Sequence, residues 1–207
     1  MSNTPTSRRP FSMIRSFAFA DLITLGNGVC GAGSILALMQ YMTSGDVMWL
    51  WSAVVLSPLA LLLDFADGRV ARWRHRSSPL GADLDSLADV ISFGMAPAAV
   101  GFAVGLRQPV DVGILLYFVL CGISRLARFN VTAADLADDS GKVKYFEGTP
   151  IPTSVLIVIF LGVLIARGAI GDELTLWQLG SLRFHPLALV YLVSGSLMIS
   201  TLRIPKI

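Results

Sequence analysis

Six apolar runs, separated by short polar breaks, leave this chain few ways to fold. They cover residues 22–42, 47–63, 90–106, 112–123, 151–166 and 186–202. A helix needs about 20 residues to cross the hydrocarbon core of a bilayer, within a range of about 17–25. Several runs fall at or below that limit, so their helices must extend past the apolar stretch into charged sequence. Hydrophobic residues make up 54% of the 207 and charged residues only 14%, with mean hydropathy +0.69. That is too little charge to cover a water-soluble domain of this length, and lipid is the alternative solvent. The expected fold is all-α: a polytopic membrane protein of six transmembrane helices, forming a single membrane domain over residues 1–207.

Net charge is only +2, so no basic field argues for nucleic acid, and the expected macroscopic partner is the lipid bilayer. Cys30 and Cys121 both sit inside apolar runs and read as small packing residues. Residues 1–20 read as an N-terminal tail without the short apolar core and cleavage site of a signal peptide. Within it, Phe11, Ile14, Phe17 and Phe19 surround Arg15, a pattern of an interfacial helix or of a plain extension of the first span.

Position along the chain sorts the cations. With six spans, one side holds Arg8, Arg9, Arg15, Arg69, Arg72, Arg74, Arg76, Arg125, Arg128, Lys142, Lys144, Arg203 and Lys206, and the other holds Arg107, Arg167 and Arg183. Thirteen against three places both termini in the cytoplasm by the positive-inside bias, and the expected location is the cytoplasmic (inner) membrane. The polar stretch 132–148 is expected to be a cytoplasmic loop.

The chemistry concentrates where the second run ends and the third begins. Asp64, Asp67, Gly68, Ala71 and Arg72 lie at offsets 0, 3, 4, 7 and 8, on one helical face. Gly81, Asp85 and Asp89 are four apart and share another face. The hydrophilic turn between them makes the second and third helices antiparallel neighbours with these faces opposed. Four carboxylates at the end of two apolar helices would repel one another and lose hydration unless a cation neutralised them. All-oxygen ligands suit Mg²⁺, Mn²⁺ or Ca²⁺ better than zinc, and four carboxylates are enough for two ions about 3.5–4 Å apart. Gly68 and Ala71 clear bulk from the acidic face, and Arg72 can fork two hydrogen bonds to a phosphate. Together these residues describe a site for a pyrophosphate-bearing nucleotide. Asp83 lies on the other side of its helix and is left out. Neither His75 nor His185 has a nameable role.

The pattern D-x-x-D-G-x-x-A-R, eight residues, then G-x-x-x-D-x-x-x-D, from Asp64 to Asp89, resembles the signature of the CDP-alcohol phosphatidyltransferase family at every position. The resemblance implies that Asp64, Asp67, Asp85 and Asp89 bind two divalent cations, Mg²⁺ or Mn²⁺, and that Asp89 is also the general base. It implies that Gly68, Ala71, Arg72 and Gly81 line the CDP portion of the lipid, with Ser78 in the gap beside them. It also implies six spans, a cytoplasmic-side active site and a homodimer. Asn27, in the first span, is a further CDP-side candidate or an interhelical hydrogen-bonding residue.

Three further stretches, 85–98, 125–130 and 146–152, resemble the membrane-integral, serine-accepting branch of that family. The implied reaction transfers the phosphatidyl group of CDP-diacylglycerol to L-serine, giving phosphatidylserine and CMP by direct displacement. Arg125 and Arg128 lie three apart on one face; each could bind the acceptor carboxylate or a lipid phosphate, or serve the positive-inside bias. Ser92 and Asn130 are weaker polar candidates for the acceptor. The same chemistry with glycerol 3-phosphate, an inositol phosphate or choline is the nearest alternative. A divalent-cation transporter is a more distant one, since its acids would be spread through the membrane and not clustered at one end.

Overall fold

The computed structural model describes residues 19–74, 79–136, 145–168, 170–171, 177–179, 182–200 and 203–205. Within them the chain is helical apart from two small ribbons. The helices are α1 (Phe19–Ser44), α2 (Val47–Arg74), α3 (Pro79–Asp89), α4 (Ala96–Val104), α5 (Pro109–Leu136), α6 (Val155–Ala166) and α7 (Leu187–Met198). A π-helical turn, Val90–Met95, joins α3 to α4 in one continuous rod, and a 3-10 turn, Ile151–Ser154, leads into α6. Strand β1 (Tyr145–Glu147) pairs antiparallel with β4 (Arg203–Pro205), and β2 (Trp177–Leu179) with β3 (Leu182–Phe184). The tail and candidate interfacial helix before residue 19 lie outside the described residues.

Among the described residues, four helices are long and apolar enough to cross a membrane: Ala20–Ser44, Val47–Val70, Leu80–Val104 and Pro109–Val131. They overrun their apolar runs as the short runs require. α2 continues through the acidic motif to Arg74, and the third rod already begins at Pro79. Ala133, Ala134 and Leu136, all good helix formers, carry α5 into the stretch expected to be a loop. That expectation is corrected at both ends, since β1 begins at Tyr145; residues 137–144 lie outside the described part.

The remaining two apolar segments are shorter, Ile151–Ala166 and Leu187–Met198. The sixth run, read as a span to residue 202, stops being helical at Met198. The Ser200 N–H donates to the Leu197 carbonyl at 3.3 Å, which tightens the last turn, and the chain then leaves as β4. With 12 residues, α7 is about 18 Å long, short of a bilayer core of roughly 30 Å.

Leu22, Val29, Leu36, Val55, Leu62, Leu116 and Leu120 are each more than half exposed. Water would not tolerate such stripes, whereas lipid does, and they mark the chain as a membrane protein. The interior is mostly aliphatic, with an aromatic contact across it. Tyr191 of α7 meets Phe118 of α5 edge-on at 5.3 Å and donates its hydroxyl to the Pro97 carbonyl of α4 at 2.7 Å. At the end of α5 away from the acidic motif, His185 Nδ1 and Asp111 Oδ2 lie 2.6 Å apart, both buried. Asp111 Oδ2 also accepts the Gln108 N–H at 3.1 Å, capping the first turn of α5. His185 therefore ties the start of α7 to the start of α5.

The organising helix is α1. It runs antiparallel to α2, with Gly26 facing Leu63, Gly33 facing Leu56 and Ser34 Oγ donating to the Ala53 carbonyl at 3.1 Å. It runs parallel to the third rod, with Gly28 against Ala88 and Gly31 against Ser92. Small residues let its backbone approach both partners. α2 and α3, read from the sequence as direct neighbours, make little contact with one another at the acidic end; each packs on α1 instead. The short connection makes them antiparallel, and α1 packs beside both.

Candidate active site

Each acidic face is held against α1 through one buried carboxylate, Asp67 on α2 and Asp89 on α3. Along α2, Asp67 is buried, Asp64 is partly buried, and Gly68 opens on clear space, since a Cβ there would meet no atom within 4 Å. α2 continues without a break through Ala71 and Arg72; Ser78 lies outside the described residues. Along α3, Gly81 and Asp85 are partly buried and Asp89 is buried, while Asp83 is exposed on the other side.

One carboxylate oxygen each from Asp64, Asp67 and Asp85 lies within 4.8 Å of the others. The two acidic helices therefore bring their carboxylates together although their backbones stand apart. At an effective dielectric of about 20, two unit charges at that separation repel by roughly 3–4 kcal/mol, so three ionised groups require a counter-charge. Asp85 Oδ1 is buried and has no hydrogen-bond partner among the described residues. An all-carboxylate donor set with an unsatisfied buried oxygen fits a hard divalent cation. Asp89 is one turn deeper than Asp85, within electrostatic reach of Asp64, Asp67 and Asp85.

The π turn begins one residue after Asp89. Its closing bond runs from the Ala96 N–H to the Ile91 carbonyl, five residues back. Pro97 follows with no N–H to offer, and the α ladder resumes beyond it. This turn places Ser92 fully buried against α1, where its Oγ donates to the Asn27 carbonyl at 2.8 Å. Asn27 is itself fully buried; its Nδ2 donates to Asp89 Oδ1 at 3.3 Å, and its Oδ1 has no partner. Thr24, one turn earlier on α1, donates its hydroxyl to Asp67 Oδ2 at 2.7 Å.

α5 forms the far wall. Arg125 is partly buried, lies within electrostatic reach of Asp89, and has a buried Nε without a hydrogen-bond partner. Arg128 and Asn130 are exposed, and Asn130 Nδ2 donates to Ser86 Oγ of α3 at 2.9 Å. The structure thus gathers Asn27, Asp64, Asp67, Asp85, Asp89 and Arg125 at one end of the helices. Ser92 adjoins them through Asn27, its hydroxyl turned to α1. The sequence reading passed over Thr24 and Ser86. Thr24 had a readable signal, because Thr24, Asn27, Gly28 and Gly31 form a polar and small face at offsets 0, 3, 4 and 7 in an otherwise apolar helix.

A family model described as CDP-alcohol phosphatidyltransferase matches residues 17–201. The chain belongs to the CDP-alcohol phosphatidyltransferase family. The match takes in both acidic faces, the α1 contacts and Arg125. A CDP-diacylglycerol–serine O-phosphatidyltransferase of Saccharomyces cerevisiae is 46% identical over 202 residues, 95% of this chain and 73% of that relative. Proteins of the same name from Bacillus subtilis and Helicobacter pylori are 32% and 35% identical, each over 72% of this chain and over 81% and 58% of their own lengths.

Proposed function

We propose that this membrane domain, residues 1–207, transfers the phosphatidyl group of CDP-diacylglycerol to L-serine, giving phosphatidylserine and CMP. The observation that carries the reading is the close approach of Asp64, Asp67 and Asp85, with Asp89 beside them and an unpartnered Asp85 oxygen. Serine as acceptor is supported by the names of the relatives, which share up to 46% identity over most of the chain.

Asp64, Asp67, Asp85 and Asp89 would hold two divalent cations, Mg²⁺ or Mn²⁺, which when bound would offset the charge that develops on the phosphoryl group. Gly68, Ala71, Arg72, Ser78 and Gly81 line the CDP portion. Arg125 and Arg128, with Asn130, form the acceptor side. Arg125 is the best placed of these, because its unpartnered Nε is suited to a carboxylate. Asp89 removes the proton of the serine hydroxyl. The resulting alkoxide attacks the phosphorus bonded to the diacylglycerol oxygen, the bond from that phosphorus to the CMP oxygen breaks, and CMP leaves. No enzyme-bound covalent intermediate is required.

The distribution of Lys and Arg supports a topology with both termini and the acidic site on the cytoplasmic side of the inner membrane, and the family supports a homodimer. The test is an acceptor screen with purified protein and CDP-diacylglycerol, read as CMP release. Serine is expected to drive release, and glycerol 3-phosphate, inositol phosphate and choline are not. Equal or faster release with one of those three would reassign the acceptor.

A further inference from the structure

We propose that Thr24 and Asn27 are positioning residues, through which α1 sets the geometry of one carboxylate on each acidic helix. The inference rests on the reading of the acidic cluster as a cation site and goes beyond it, because neither residue is a ligand in that reading.

Both residues sit in an apolar helix, with 4% and 0% of their surface exposed. A polar side chain so placed needs a partner, and each finds a carboxylate. Thr24 Oγ1 lies 2.7 Å from Asp67 Oδ2, nearer than the 3.2 Å to the Ala20 carbonyl of its own helix. Asn27 Nδ2 lies 3.3 Å from Asp89 Oδ1. Asp67 and Asp89 are the two buried members of the acidic set, one from α2 and one from α3. Each donor holds one oxygen of its carboxylate.

The packing explains why this falls to α1. At the acidic end α2 and α3 do not brace one another, and α1 packs on both. Residues three apart on α1 face neighbouring directions, so Thr24 reaches α2 while Asn27 reaches α3. The Asn27 backbone is itself pinned, since its carbonyl accepts Ser92 Oγ at 2.8 Å. A hydroxyl or amide that holds a ligand carboxylate sets its plane, and loss of such a donor typically weakens metal binding by about 10–100-fold. Interhelical adhesion is the competing role, and it makes a different prediction.

The experiment titrates Mn²⁺ into purified, detergent-solubilised protein without CDP-lipid, followed by electron paramagnetic resonance. Thr24→Val is expected to weaken Mn²⁺ binding by about tenfold or more, with the metal-free melting temperature close to wild type. Thr24→Ser, which restores the donor, is expected to bind Mn²⁺ as wild type does. Thr24→Ala serves the same purpose should valine disturb folding. Wild-type affinity in Thr24→Val and Thr24→Ala overturns the role of Thr24, and absence of Mn²⁺ binding by the wild-type protein overturns the cation site itself. For Asn27→Ala, a loss of kcat with unchanged equilibrium binding of CDP-diacylglycerol is expected. Loss of that binding with kcat retained would make Asn27 a nucleotide ligand instead.

Discussion

Gly31 of α1 lies so close to Ser92 in the π turn that a Cβ on it would fall 2.5 Å from Ser92 Oγ and 2.6 Å from its Cα. Ser92 cannot readily retreat, being fully buried and bonded to the Asn27 carbonyl. Gly31→Ala is therefore expected to force α1 off the third rod, at a cost of about 1–3 kcal/mol, and to draw Asn27 away from Asp89. Thermal unfolding in detergent should show the loss, and CMP release per folded molecule should fall with it. Gly33→Ala is the control: its Cβ would meet Leu56 at an ordinary 3.5 Å, and both quantities should stay near wild type.

Asp89→Asn keeps the shape of the side chain and removes the proton acceptor. CMP release is expected to fall by about 10²–10⁴-fold, the usual contribution of a general base, while CDP-diacylglycerol still binds. Asp83→Asn, on the exposed side of α3, should leave turnover near wild type. Near-normal turnover in Asp89→Asn would remove Asp89 from that role.

His185 sits at the other end of the helices and touches none of the reacting groups. His185→Phe strips Asp111 of a buried partner at 2.6 Å and should lower stability by about 1–3 kcal/mol. The protein that remains folded should keep the kcat and KM of wild type. Lost turnover at unchanged stability would show that this pair does more than join α5 to α7.

The parts of the fold that were legible in the sequence are those governed by local pattern. Apolar runs gave the helices, and the offsets of Asp64, Asp67, Asp85 and Asp89 gave two acidic faces that do converge. Tertiary competition was not legible. Nothing in the 186–202 run says that β4 will leave to pair with β1, so the last helix was read too long. Nor does a short turn after α2 reveal that α1 will pack beside both acidic helices. That depends on Gly26, Gly28, Gly31 and Gly33 permitting two close approaches at once. Ser92, a weaker polar candidate for the acceptor, shows the same dependence: the π turn sets its hydroxyl against α1, on the Asn27 carbonyl. Thr24 went unnoticed because one hydroxyl in a span usually bonds its own helix, and only the approach of Asp67 changes that.

Joint holding of metal by α2 and α3 is the central proposal, and a Mn²⁺ titration of three purified proteins tests it directly. Wild type is expected to bind two ions, and both Asp64→Asn on α2 and Asp85→Asn on α3 should lose affinity for Mn²⁺ by at least about tenfold. Full Mn²⁺ binding in Asp85→Asn, with loss confined to Asp64→Asn, would contradict a cage shared between the two helices.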